Sequence, residues 1–357
     1  MNARLVSLFF LATVAVSAAA ELQEVANFPT TQVTGVTVSK SGRVFVNFPD
    51  WGDEHPMSVA EIVNGQPQPY PNAEWNTKGD PKSTFICVQS VVVDANDQLW
   101  VLDPAAPKMQ SIVQGGPKLV KIDLKTNIVV QTIPFGEDVA SGKSYLNDVR
   151  VDVNSNTAFI TDSGKGAIVV VDLTSGKARR LLDGHKSTQA EKGFKLKVNG
   201  RELLDQSKKT PPQIQSDGIA LTNDGYLYYH ALTGHTLYRI KSDYLKDAKM
   251  KSRDLEAKIE NMGQTPACDG MIEAPDNSVY VTDLESSGIV HFDPQTKKVA
   301  TVIEDAQRLL WPDTLSWGPD GALYVTASQI QNMPRFNDGK NSARTEPYRL
   351  FKITGVR

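Results

Sequence analysis

Cysteine is nearly absent from this sequence. Of its 357 residues only Cys87 and Cys268 are cysteines, so a small domain held together by several disulfides is excluded. Excess charge of one sign is absent too, since the formal net charge is −3 and no block of basic residues occurs. Nucleic-acid binding uses clustered Lys and Arg side chains. We therefore expect no nucleic-acid partner.

Long apolar runs are missing except at the N-terminus. There Arg4 precedes the apolar run 5–16, and small residues follow at Ala18–Ala20. This order is typical of a secretory signal peptide, here residues 1–20, cleaved after Ala20; the alternative is a buried N-terminal helix. The run is too short to span a bilayer comfortably. We expect no membrane partner, a secreted or periplasmic location, and a single domain over residues 21–357.

A unit of similar pattern recurs six times along the chain. In each unit an aromatic residue is followed by a β-branched or aromatic residue, and the spacing between units is 44 to 69 residues. The pairs are Phe45-Val46, Trp100-Val101, Phe159-Ile160, Tyr228-Tyr229, Tyr280-Val281 and Tyr324-Val325. The surrounding short runs alternate apolar and polar residues between turn residues, as β-strands do. The repeat predicts an all-β fold, a six-bladed β-propeller.

A polar residue opens each unit, eleven residues before the aromatic residue and twelve before it in the third unit. These ring residues are Thr34, Gln89, Asn147, Asp217, Asp269 and Asp313. Alternating apolar residues follow each of them, which indicates a half-buried strand. Because the first strand of a propeller blade lines the central channel, we expect the ring residues to meet at one mouth of that channel.

The loops that follow the aromatic strands should open at the same mouth. They add Trp51, Thr233 and Phe336 as candidate ligand-binding residues. An aromatic amine would need an aromatic wall, which Trp51 or Phe336 could form, and a carboxylate near its ammonium group. The alternative is that both aromatic side chains pack on their own blades.

Three further features concern how the propeller is built. The long third unit carries Asn199-Gly200 between apolar runs, a strong signal for a β-hairpin. The segment 21–29 is expected to complete the outer edge of the last blade. Cys87 and Cys268 fall in the second and fifth units, which lie opposite each other in a ring of six. A disulfide needs Cα atoms within about 7 Å, so we predict two free, buried thiols.

Several stretches are similar to those of a known family. They are Gly42–Pro49, Leu99–Asp103, Leu146–Asp148, Ala158–Gly164, Asp217–Leu221 and Leu227–Gly234. In these the chain resembles the Yellow/major royal jelly protein family from about residue 34 to the C-terminus. The resemblance implies a secreted six-bladed propeller that holds a small ligand at the channel mouth, an aromatic amine in some insect members; some family names refer to dopachrome conversion. Insect relatives usually carry a cysteine where this chain has Asn96, so it resembles a bacterial branch instead.

A more distant resemblance, to gluconolactonase-like propellers, rests on Asp269-Gly270-Met271. Those proteins bind one divalent cation at the channel mouth. The resemblance makes Asp217 and Asp269 candidate catalytic residues and metal ligands, and it places Asn147 where those relatives have a substrate-facing Asn. We also count Asn147 among the candidate metal ligands. Calcium is the cation we expect, because it prefers several hard oxygen ligands. Thr34 departs from the pattern, since the relatives have a Glu ligand there.

Three interpretations of the ring residues stay open. Their side chains could cap backbone N–H groups and brace the blades. They could hold a cation that polarises a lactone carbonyl while a carboxylate activates water. Or they could line a pocket without metal. We expect a monomer that binds or transforms a small organic molecule at the mouth; the alternatives are a metal-dependent lactonase and a protein-interaction platform.

Overall fold

The computed structural model describes residues 19–356. These residues form six four-stranded antiparallel sheets arranged around a central channel. The predicted all-β, six-bladed propeller is therefore confirmed. The predicted signal peptide covers residues 1–20, of which residues 1–18 lie outside the described residues. None of the helices between residues 19 and 356 is long and apolar enough to cross a membrane.

Strand β1 (Glu21–Phe28) opens the described chain and belongs to the last blade. The next three blades follow in order, each with its strands numbered from the channel outward. Blade one contains β2 (Gly35–Val38), β3 (Val44–Asn47), β4 (Val59–Val63) and β5 (Gln66–Pro69). Blade two contains β6 (Ser90–Val93), β7 (Gln98–Asp103), β8 (Lys118–Asp123) and β9 (Ile128–Pro134). Blade three contains β10 (Leu146–Asp152), β11 (Thr157–Asp162), β12 (Ala167–Asp172) and β13 (Ala178–Leu181).

A short hairpin of β14 (Lys197–Val198) and β15 (Arg201–Glu202) precedes blade four. Blade four contains β16 (Ser216–Leu221), β17 (Tyr226–Ala231), β18 (Thr236–Lys241) and β19 (Glu260–Gln264), with α1 (Ser242–Lys246) and α2 (Ser252–Glu256) before its last strand. Blade five contains β20 (Met271–Glu273), β21 (Val279–Asp283), β22 (Gly288–Asp293) and β23 (Lys298–Glu304). Blade six contains β24 (Pro312–Trp317), β25 (Leu323–Ala327), β26 (Tyr348–Thr354) and β1.

The ring of blades is closed by the two ends of the chain. Strand β1 pairs antiparallel with β26, from Glu21 against Thr354 to Phe28 against Tyr348. The outermost strand of blade six thus comes from the N-terminal segment, as predicted. A closed ring leaves no open interface between the first and last blades.

The aromatic residue of each repeat packs on the following blade, which explains why the pattern recurs. Phe45 of blade one packs with Val91 and Leu99 of blade two, and Tyr324 of blade six packs with Val36 of blade one. The other members, each packed on its next blade, are Trp100, Phe159, Tyr228 and Tyr280. All six side chains are buried. Because large aromatic side chains bury the most apolar area, they hold adjacent blades together.

The hairpin predicted at Asn199-Gly200 is present as β14 and β15. Its apolar residues Leu196 and Val198 join a buried cluster with Trp311 and Phe336 of blade six. The hairpin therefore lies on the same end of the propeller as the loops after the second strands. Both cysteines are free and buried, as predicted.

Candidate ligand pocket at the channel mouth

A cavity of about 520 Å³ lies where the ring residues meet the loops of the mouth. Its floor carries four buried ring residues from consecutive blades, Gln89, Asn147, Asp217 and Asp269. Its walls carry the aromatic side chains Trp51, Tyr145, Trp311 and Phe336. A larger groove of about 970 Å³ runs between the outer parts of blades two and three. None of the ring residues reaches that groove, so the mouth cavity is the better candidate site.

Six of the nine predicted site residues line the mouth cavity. They are Trp51, Gln89, Asn147, Asp217, Asp269 and Phe336. In the structure these polar residues from separate blades and aromatic loop residues surround one cavity.

The other three predicted residues lie behind the cavity surface. Thr34 is buried, and its Oγ1 accepts a 2.9 Å hydrogen bond from Nδ2 of Asn47. Asp313 is buried next to Asp269, and burial and the charge of Asp269 raise its pKa well above the ordinary value. Thr233 Oγ1 donates to the carbonyl oxygen of Ile214 and accepts from its N–H, both at 2.9 Å. Ile214 itself lines the cavity, so Thr233 positions a wall residue.

The two carboxyl groups on the floor differ in how far their pKa values are raised. Burial raises the pKa of Asp217 well above its ordinary value, and the charge of nearby Asp269 raises it further. Burial also raises the pKa of Asp269, to about 6, while hydrogen bonds from Trp311 and Asp217 oppose that rise. Asn147 donates its side-chain N–H to Oδ1 of Asp217. The charge of Asp269 thus favours the neutral form of Asp217, whereas the hydrogen bonds that Asp269 accepts favour its ionised form.

The channel is filled directly below this floor. Arg150 of β10 extends across the channel, and its Nη2 donates a 2.6 Å hydrogen bond to the carbonyl oxygen of Met271 in blade five. Burial raises the pKa of the neighbouring Asp148, and the positive charge of Arg150 opposes that rise. The buried guanidinium therefore links blades three and five below the floor residues.

Hydrogen bonds fix the aromatic wall. Trp51 Nε1 donates a 2.7 Å bond to the hydroxyl oxygen of Tyr145, which donates a 2.9 Å bond to Oε1 of Gln89. Trp51 follows β3 of blade one, whereas Tyr145 precedes β10 of blade three, so the wall joins separate blades. Phe336 packs in the cluster that contains Trp311 and the inserted hairpin. Trp51 and Phe336 both contact residues from other blades.

Threonine hydroxyls brace the inner strands. Oγ1 of Thr161 accepts from the N–H of Asp148 at 3.2 Å and donates to the carbonyl oxygen of Asp217 at 2.6 Å, which links blades three and four. Thr326 likewise donates to the carbonyl oxygen of Thr34 at 2.5 Å, which links blades six and one. These bonds hold the backbone of the ring residues. The side chains of Asp217 and Asp269 remain directed at the cavity.

The floor residues do not fit a divalent cation. Within residues 19–356, no group of three or more His, Cys, Asp or Glu side chains is placed to hold a metal ion. Asp217 and Asp269 accept hydrogen bonds from the side-chain N–H groups of Asn147 and Trp311. Each N–H group directs its positive end to where a cation would bind. Thr34 contributes no carboxylate. Two N–H donors thus occupy positions on these carboxyl groups that a cation would otherwise occupy.

Several lining residues were missed by the sequence analysis. Tyr145 and Trp311 each stand two positions before a ring residue, Asn147 and Asp313, and the period of two in strands could have revealed them. At the outer rim lie Lys143, Lys208 and Arg335. Lys143 and Lys208 come from irregular loops, where no periodic pattern marks a residue, whereas Arg335 lies in the loop stretch 329–336 that the sequence places at the mouth.

The fold and the mouth cavity define a class, six-bladed propellers that carry a buried acidic pocket at one end of the channel. The family model for major royal jelly protein matches residues 86–349, so the chain belongs to the major royal jelly protein family. Major royal jelly protein 6 of Apis mellifera is 25% identical over 199 residues, which cover 53% of this chain and 43% of that protein.

Solved structures with the same fold include proteins with several different activities. A gluconolactonase from Xanthomonas campestris superposes with a TM-score of 0.56 at 11% identity over 94% of this chain and 89% of that chain. Virginiamycin B lyase from Staphylococcus aureus superposes with a TM-score of 0.52 at 15% identity over 94% of this chain and 99% of that chain. A luciferin-regenerating enzyme superposes with a TM-score of 0.57 at 12% identity over 95% of this chain and 96% of that chain. At such identities the similarity establishes the fold alone.

Proposed function

We propose that this protein binds a small aromatic amine, or a closely related aromatic compound, in the mouth cavity. The observation that carries the proposal is the Asp217–Asp269 pair on a buried floor beneath the aromatic walls. A cavity of about 520 Å³ lies within the usual range for small-molecule sites, and such sites combine apolar walls with a few placed polar groups.

The charge state of the floor favours an ammonium group. Because the pKa of Asp269 is raised only to about 6, this carboxylate is ionised at neutral pH. An ammonium group that reaches the floor would gain a buried, charge-assisted hydrogen bond to Asp269. The aromatic part of the ligand would lie against Trp51, whose indole is held in place by Tyr145.

Two other functions gain less support from the site. A metal-dependent lactonase needs a cation that this set of donors does not favour. A protein-interaction platform would present an apolar surface at the mouth. The large hydrophobic side chains that the described residues expose belong instead to blades one, two and five, at Val63, Ile128, Val130 and Val299.

The test is a binding titration with 2-phenylethylamine, followed by calorimetry and by the fluorescence of Trp51 and Trp311. We expect saturable binding with a changed tryptophan emission, and at least tenfold weaker binding by Asp269→Asn. The control is Asp254→Asn on the exposed face of α2, which changes the net charge equally and should bind as the unchanged protein does. The absence of heat and emission change up to millimolar amine would refute the proposal.

Export of the protein is part of this proposal. The N-terminal pattern of Arg4, an apolar run and Ala18–Ala20 supports cleavage after Ala20. Since β1 begins at Glu21, cleavage at that bond would leave the closing strand of blade six complete. N-terminal sequencing of protein recovered outside the cytoplasm should give Glu21 first, and a chain starting at Met1 would contradict this.

A further inference from the structure

The ionisable groups of the mouth cavity are arranged in two levels of opposite charge. Asp217 and Asp269 are buried on the floor, at the start of inner strands. Lys143 and Lys208 line the same cavity from exposed loops at its rim. The aromatic walls lie between the two levels. A ligand that fills the cavity would therefore contact acidic groups at the floor and basic groups at the rim.

The floor groups and the rim groups differ in their hydrogen-bond and ion-pair partners within the protein. On the floor, both carboxyl groups have partners, since Asn147 donates to Asp217 and Trp311 donates to Asp269. At the rim, Arg335 is paired with Asp205 at 3.0 Å.

The two rim lysines differ from Arg335 in this respect. Neither the Lys143 nor the Lys208 ammonium group has a hydrogen bond or an ion pair with any residue between 19 and 356. The backbone at Lys208 is nevertheless ordered, because its N–H donates to the carbonyl oxygen of Asp205 at 3.2 Å. The rim thus presents two unpaired ammonium groups at the open side of the cavity.

We infer that the ligand is amphoteric, with an aromatic ring that carries an ammonium group at one end and an anionic group at the other. This inference rests on the proposed function and adds the second charge. The ammonium group would bind Asp269 on the floor, and the anionic group, a carboxylate for example, would bind Lys143 and Lys208 at the rim. An amine without an anion would leave the rim charges unpaired and gain nothing from them.

Two probes that differ only in the anion test this inference. They are 2-phenylethylamine and 4-(2-aminoethyl)benzoate, whose carboxylate lies at the opposite end of the ring from the ammonium group. We expect the benzoate to bind about fivefold more tightly at low salt, since two partly exposed ion pairs contribute modestly. The advantage should shrink in 0.5 M salt, because exposed charges are screened.

The variants assign the effect to the rim. In Lys143→Gln/Lys208→Gln the fivefold advantage of the benzoate over 2-phenylethylamine should be lost. The control Lys125→Gln/Lys298→Gln removes two exposed lysines on the outer parts of blades two and five and should keep the fivefold difference.

Each contrary outcome has its own meaning. Equal or weaker binding of the benzoate by the unchanged protein overturns the amphoteric ligand while the proposed amine site stands. Retention of the full difference in Lys143→Gln/Lys208→Gln overturns the role of the rim lysines. If neither probe binds, both the proposed function and this inference are refuted.

Discussion

The indole Nε1 of Trp311 donates a 2.7 Å hydrogen bond to Oδ2 of Asp269, and both side chains are buried. The backbone of Trp311 has φ = 59°, a left-handed conformation that bulky residues rarely adopt. The fold therefore holds this indole in a costly conformation directly at the acidic floor. The bond stabilises the ionised form of Asp269, whereas the neighbouring Asp217 and Asp313 have pKa values well above the ordinary value.

Amine binding should depend on pH through Asp269. Because its pKa is raised to about 6, the carboxylate becomes protonated and loses its charge as the pH falls below that value. The affinity for 2-phenylethylamine should therefore rise between pH 5 and pH 7, with a midpoint near 6. Calorimetry at a series of pH values checks this. The same titration of Asp269→Asn should be flat, and a profile that is flat in the unchanged protein would contradict the assignment.

Replacing Trp311 by Phe removes the N–H donor to Asp269. We expect the pKa of Asp269 to rise, so the midpoint of amine binding should move from about pH 6 toward pH 7. The lost charge-assisted bond should also lower the free energy of unfolding by about 2 kcal/mol. Urea denaturation and the pH series measure the two effects.

Trp100→Phe is the matched control for this substitution. Trp100 is also buried, and its Nε1 donates a 2.8 Å hydrogen bond to Oδ2 of Asp94. This control should lose a similar amount of stability and keep the midpoint near pH 6. An equal shift of the midpoint in both variants would mean that the effect is one of general stability.

Much of the fold could be predicted because its causes repeat. Each blade buries an aromatic residue against the next one, so Trp100 and Tyr280 recur in equivalent places, and the strand period of two directs Asn147 and Asp217 to one mouth. The pocket was less accessible to such reasoning. Lys143 and Lys208 come from irregular loops, and the difference between the pKa values of Asp217 and Asp269 depends on burial and on hydrogen bonds that only the folded chain forms.

Calcium should leave the melting temperature unchanged. The side-chain N–H groups of Asn147 and Trp311 donate to the carboxyl oxygens of Asp217 and Asp269, so a cation would have to displace these donors. A ligand that binds only the folded state raises the melting temperature by mass action. We expect a shift below about 1 °C at 5 mM calcium at pH 7, where binding with millimolar affinity would exceed it. A larger shift that Asp217→Asn abolishes would restore the metal interpretation.

Glycine follows the ring residue in three units, and at Gly270 the reason is the close approach of two blades. A Cβ atom at Gly270 would overlap the backbone carbonyl oxygen of Asp313 in the next blade. Backbone cannot move aside as a flexible side chain can, so Gly270→Ala should lower the free energy of unfolding by about 3 kcal/mol and weaken amine binding by displacing Asp269. The control is Gly142→Ala in the wall of the same cavity, where a Cβ atom meets nothing within 4 Å and stability should change by less than about 0.5 kcal/mol. Urea denaturation of both variants decides the matter, and equal stabilities would show that the inner strands are not packed as tightly as the structure has them.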